Sequence, residues 1–201
     1  MRVIRFISEQ ELLSNLKHTQ LMGHGQPFIY HTAHLSLQEK VNPYELIPAQ
    51  RYVLESDFQR IEYLYQNFLQ QGIDIFSLKG GIWFNMGEES IPLTPPIVEE
   101  SWEAQGRKIW LISDGMHRVY TARQLGKPIT IILVQNVPRE YPYYAYPLEG
   151  GWNEVTELKE LIEGFQKKNY REKQYKNLFR NYNAVFPGIQ KSRNQVRLKG
   201  S

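Results

Sequence analysis

The stretch Ile109-Trp110-Leu111-Ile112-Ser113-Asp114-Gly115-Met116-His117-Arg118-Val119-Tyr120-Thr121-Ala122-Arg123-Gln124-Leu125-Gly126 decides how this chain is read. It begins as a buried strand and turns through Asp-Gly directly into a helix, so Asp114, His117 and Arg118 fall at a helix N-terminus. The first backbone N–H groups of a helix have no intrahelical partner and carry the positive end of the macrodipole. An anion such as a phosphate satisfies both. In this reading Asp114 is the N-cap and Gly115 lets a ligand approach the backbone. Arg118 offers a planar fork for bidentate contact, and His117 donates to an oxygen or shuttles a proton. The plainer alternative is that Asp114 only caps the helix while His117 and Arg118 face solvent.

Working outward, Lys108 to Ile112 and Pro128 to Val134 are the strongest strands, and with the helix between them they predict a compact crossover unit. Upstream, Arg2 to Ile7 reads as a strand, and Ser8 with Glu11 as a capping box opening a helix through about Leu21. Gly23, Gly25 and Pro27 end it, Phe28 to Leu37 is strand-like, and Asn42-Pro43 with Ile47-Pro48 is an extended connection. Ser56 with Gln59 opens a second helix whose Phe58, Ile61, Leu64, Phe68 and Leu69 share a face, and Gly72 closes it. Lys79 to Pro96 reads as loop, leading to a strand near Ile97. After Val137-Pro138 comes an irregular aromatic segment, Tyr141 to Pro147, then two expected helices at Asn153–Lys168 and Arg171–Tyr182 and a polar tail from Gln190 to Ser201. The expected class is α+β, a small mixed sheet with helices. Residues 1–148 form the main domain and 149–201 a basic helical appendage with a tail.

The 201 residues, 41% hydrophobic and 22% charged, suffice for a real core and are ordinary for a globular protein. No apolar run approaches a membrane span, and Met1 to Ile7 is too short for a signal peptide before Ser8-Glu9-Gln10-Glu11 interrupts it. No membrane association and a cytoplasmic location are therefore expected. With no cysteine in the chain, disulfides, thiolate nucleophiles and cysteine metal sites are excluded. The net charge of +3 hides an asymmetry. Gln166 to Ser201 holds ten Lys/Arg and one acid, Glu172, for +9, whereas the first 165 residues hold 14 basic and 20 acidic residues, for −6. Such a segment suits nucleic acid, an acidic partner or the acidic body itself.

Glu45-Leu46-Ile47-Pro48-Ala49-Gln50, the helix after Glu55, the Pro95-Pro96-Ile97 approach and Asp114-Gly115-x-His117-Arg118-x-x-x-Ala122-Arg123-x-x-Gly126 with its closing strand together resemble the ParB/sulfiredoxin-fold superfamily. The likeness spans about Val41 to Val137. It implies a nucleotide-phosphate pocket at the helix start. Sulfiredoxins carry their catalytic cysteine between the glycine and histidine of this motif. Here that position is Met116, whose thioether cannot form the thiol-based intermediate, so sulfinic-acid reduction is excluded. ParB-type members bind CTP and carry a DNA-reading helical domain, while the free-serine-kinase branch uses a similar Asp-Gly-His motif for ATP- or ADP-dependent phosphorylation of a small hydroxyl compound. Asp-Gly-x-His-Arg is closer to the kinase and sulfiredoxin branches than to the Glu-Arg-Arg motif of chromosomal ParB.

On the phosphotransferase expectation, Arg118 and the amides of Gly115, Met116 and His117 hold phosphates, and His117 stabilises the transferred group. Asp114 binds Mg²⁺, and Glu55 is the catalytic base; Glu55-Ser56-Asp57 reads equally as a helix start enriched in acid for dipole reasons. Gln50 and Arg51 reach the nucleotide, which is ATP, ADP or CTP. The alternative function is a ParB-like nucleotide-sensing protein that places its basic C-terminal helices on DNA. His31-x-x-His34 puts its two rings on opposite strand faces, a poor start for a metal site. Tyr141, Tyr143, Tyr144 and Tyr146 either stack on a base or pack on the surface.

Overall fold

The fold follows from where the longest apolar strand sits. In the computed structural model, which describes residues 1–87 and 89–189, strand β8 (Ile129–Gln135) is buried along its whole length except Gln135. A strand buried on both faces needs cover on both sides. It lies inside a four-stranded sheet ordered β2 (His34–Val41), β8, β6 (Ile97–Trp102), β7 (Lys108–Asp114), in which β8 is antiparallel to β2 and parallel to β6, and β6 is antiparallel to β7. Side chains alternate along β8. Ile129, Ile131 and Leu133 meet helix α2 (Glu55–Leu69) and helix α3 (Met116–Gln124) through Ile61, Leu64, Phe68, Val119 and Ala122. Ile132 and Val134 face the other way, toward Leu12 and Leu16 of helix α1 (Glu9–Leu16) and toward Leu178, Tyr182 and Phe186. The α+β class is the observed one: three α-helices and small sheets among the described residues.

Two smaller sheets complete the body. Strand β1 (Arg2–Ile7) pairs with β4 (Gly81–Met86), and β4 with β5 (Glu89–Leu93), all antiparallel. The short strands β3 (Tyr52–Leu54) and β9 (Thr156–Leu158) pair in parallel. The loop expected over Lys79 to Pro96 is thus largely a hairpin. Its Pro92 is tolerated because β5 is an edge strand. Helix α1 is capped as expected, Ser8 Oγ accepting from the Glu11 amide at 3.2 Å. It ends at Leu16, because Thr19 to Leu21 bond instead to Pro27 and Ile29. Among the described residues no helix is long and apolar enough to cross a membrane.

Three expectations need correction. The strand-helix-strand at 108–134 is not a crossover unit: β6 lies between β7 and β8, and α3 joins strands that run in opposite directions. Strand β2 starts at His34, because Phe28 to Ala33 turns inward to bury Ile29, Tyr30 and Ala33. The third correction concerns residues 149–189, which form no α-helix but a run of 3₁₀ turns and β9. Tertiary bonds override the local helical pattern here. Thr156 N–H donates to the Arg51 carbonyl, Arg51 N–H to Lys167, Tyr146 N–H to Asn169 and Arg171 N–H to Tyr144. Side chains finish the attachment: Arg180 forms an ion pair with Glu99 at 2.8 Å, both nearly fully buried. The polar tail from Gln190, with Lys191, Arg193, Arg197 and Lys199, lies outside the described residues.

Candidate functional site at the start of helix α3

Strand β7 ends at Asp114, Gly115 turns the chain, and α3 begins at Met116. Gly115 sits at φ 85°, the left-handed region that favours glycine, and a Cβ there would lie 2.8 Å from Cβ of Pro96 and from Nη2 of Arg118. It is therefore Gly115, not Asp114, that occupies the N-cap position, and no side chain caps the helix. The Gly115 carbonyl takes the amide of Val119 at 3.1 Å, so the amides of Met116, His117 and Arg118 precede the helical ladder. Met116 packs against the core beneath.

Asp114 has a different task. Its Oδ2 accepts from Nη2 of Arg118 at 2.9 Å, while Nη1 of Arg118 donates to the Thr94 carbonyl. Both side chains are largely buried. Burial pushes the Asp114 carboxyl above the usual carboxylate range despite Arg118, the Gly115 backbone hydrogen bond and nearby Lys168. Burial likewise pulls the Arg118 guanidinium below its ordinary value, against the attraction of Asp114. Desolvation outweighs attraction on both sides of the pair, the situation in which a buried ion pair costs more than it returns. Arg118 is therefore a fixed brace across the turn, and its fork is already engaged.

His117 points toward the neighbouring helix, its Nε2 lying 3.5 Å from Oδ2 of Asp57 on the first turn of α2. Glu55 begins the same turn and accepts from Nε2 of Gln59 at 3.0 Å. Of the two acids, Asp57 is the one placed against the motif. The acid-rich opening of α2 was the available signal for it. Gln50 donates from Nε2 to the Tyr52 carbonyl at 2.8 Å, and Arg51 pairs with Glu154 at 3.1 Å. Both tie the approach to β3 to its surroundings. Arg51 still has a buried Nε with no hydrogen-bond partner.

One cation of the site has no counterpart in the motif. Lys168 donates from Nζ to the hydroxyls of Tyr143 at 3.1 Å and Tyr144 at 2.6 Å, and Tyr143 in turn donates to the carbonyl of Ser113 at 3.4 Å, the residue before Asp114. The Pro-Tyr segment thus stands beside the α3 start rather than as a detached surface. Farther along α3, Tyr120 donates to Glu157 of β9, and burial with this bond holds its phenol up to about 12. No group of three or more His, Asp or Glu suited to a metal occurs among the described residues, and Asp114 faces Arg118. The carboxylate expected to bind Mg²⁺ is thus engaged by Arg118.

A family model described as the ParB CE domain matches residues 11–156, which spans all four strands of the main sheet and the whole of α2 and α3. No curated protein matches the chain.

Proposed function

The chain belongs to the ParB CE domain family, and on that premise we propose that it binds a nucleoside di- or triphosphate at the start of α3 and transfers a phosphoryl group to a small hydroxyl-bearing molecule. The observation that carries the transfer is the placement of His117 against Asp57, a proton-accepting carboxylate beside a donor ring at a helix N-terminus. The amides of Met116 to Arg118, which precede the helical ladder, receive phosphate oxygens, and Arg118 holds the turn in shape by bracing Asp114 to Thr94. Asp57 takes the proton of the attacking hydroxyl as its oxygen forms the new bond to phosphorus. The bond from phosphorus to the nucleotide oxygen breaks, and its electron pair stays on the departing nucleotide. His117 donates toward the charge that spreads over the transferred group. Asp57 replaces Glu55 as the preferred base because it is the acid that lies within reach of His117. No step runs through a protein-held metal.

The test is incubation of the full chain with γ-labelled ATP, β-labelled ADP or γ-labelled CTP and a panel of hydroxyl compounds, beside calorimetry with each nucleotide. Labelled product that falls about 10²-fold or more in Asp57→Asn supports the reading. Nucleotide binding without transfer to any acceptor leaves a nucleotide sensor, and no binding at all rejects the site. The DNA-binding alternative draws on Lys167, Lys173 and Lys176, which are exposed, but no α-helix between 149 and 189 is available to enter a groove. Duplex affinity that is unchanged when these three lysines become alanine removes that alternative.

A further inference from the structure

We infer that Lys168, contributed by the C-terminal segment, is the mobile phosphate-contacting cation of this site, and that Tyr143 and Tyr144 hold it in waiting. The inference rests on the nucleotide-binding reading above and names the group that reading lacks. A phosphate site needs a cation that can change partners, and the first turn of α3 does not supply one. Arg118 is bound to Asp114 and the Thr94 carbonyl, and Arg51 is paired with Glu154.

Lys168 differs in its partners. No carboxylate among the described residues pairs with it, and its ammonium rests on two neutral phenols. It lies 4.6 Å from the ring centre of Tyr144 and 5.3 Å from that of Tyr143. An ammonium has three donors, so two phenols leave one unassigned, and a phosphate oxygen is a stronger acceptor than a neutral hydroxyl. Its location fits the role. The path from Nζ through the Tyr143 hydroxyl ends on the Ser113 carbonyl, one residue from Asp114.

The backbone around Lys168 is anchored by tertiary bonds, and its side chain rests on the two phenols. The Lys167 carbonyl accepts from Arg51, the Asn169 carbonyl accepts from Tyr146, and Ala145 bridges Tyr170. A lysine stem on an anchored backbone can swing its head between acceptors at little cost. With Asp114 paired to Arg118 and Asp57 facing His117, Lys168 adds a positive charge beside the helix dipole. An arriving phosphate therefore takes Lys168 from the phenols.

The experiment compares wild type, Lys168→Met and Lys168→Arg as full chains, titrated calorimetrically with ATP, ADP and AMP at several salt concentrations, with circular dichroism confirming the fold. Loss of one charge-assisted contact predicts about tenfold or more weaker ATP binding in Lys168→Met, less loss for AMP, a shallower salt dependence and substantial rescue by arginine. A merely structural lysine would not change the salt dependence. If wild type binds and Lys168→Met binds ATP equally, with the same salt dependence, the inference fails while the proposed function stands. If wild type binds no nucleotide, both fall. Should Lys168→Met not fold, Tyr144→Phe asks the same question: tighter or equal ATP binding supports a waiting cation, and a tenfold loss overturns it, since the phenol would then be the contact.

Discussion

Replacing Arg180 by alanine should be among the most damaging single changes in this protein. Its Nε and Nη2 each donate to a different oxygen of Glu99 at 2.8 Å, and its remaining N–H groups reach the carbonyls of Tyr141, Pro142 and Leu178 at 2.7–3.0 Å. The two side chains are 1% and 3% exposed. Among the described residues Glu99 then keeps the hydroxyls of Tyr30 and Ser113, two neutral donors for a buried charge. Removing one partner of such a pair costs about 3–5 kcal/mol, because the other charge stays buried without compensation. For a chain of this size each kcal/mol corresponds to about 2–4 °C, so Arg180→Ala should melt about 6–20 °C below wild type. Urea unfolding followed by tryptophan fluorescence gives the free energy directly. The double variant Glu99→Leu with Arg180→Met should recover most of the loss, since it removes both charges and keeps the volume. A loss under about 1 kcal/mol in Arg180→Ala would refute the claim that residues 170–186 are latched into the body by this pair.

Gly115→Ala should destabilise by about 1–3 kcal/mol, because a positive φ and a close Pro96 backbone both oppose a Cβ; a melting temperature equal to wild type would contradict that geometry. Asp114 makes a pH prediction. Since burial holds its carboxyl above the ordinary 3.8, the folded protein binds this proton more tightly than the unfolded chain does. The stability it contributes is present below that ordinary value and is lost as pH rises through the raised one. The unfolding free energy of Asp114→Asn relative to wild type should therefore increase from pH 4 upward in parallel urea titrations. A difference that stays flat with pH would remove the desolvation argument.

The parts of this structure that were legible in the sequence are those set by neighbours along the chain. The Asp114 to Arg118 turn, the Ser8 cap and the Ile61, Leu64 and Phe68 core positions of α2 each depend on residues a few positions apart, where periodicity and turn chemistry act directly, although Leu69 of the expected face is exposed and Tyr65 is buried in its place. What escaped depends on distant partners. The helical pattern of Val155, Leu158, Leu161, Ile162 and Phe165 is real, but β3 and the Tyr144–Tyr146 stretch capture the backbone of that segment. Asp114 looked like a cap because Asp before a helix usually is one, and only the position of Arg118 shows it serving as a counterion. Asp57 and Lys168 could not be assigned to the site from spacing, since packing α2 against α3 and folding the C-terminal segment back bring them there.

The central claim is that nucleotide phosphates sit on the first amides of α3. The most direct measurement is the backbone amide NMR spectrum of the labelled full chain, titrated with ATP, ADP and CTP. Saturable shifts greatest at Gly115, Met116, His117 and Arg118, with smaller ones at Asp57 and Lys168, are the predicted result. Unmoved resonances at 115–118 at millimolar nucleotide, or shifts confined to another part of the chain, would contradict it.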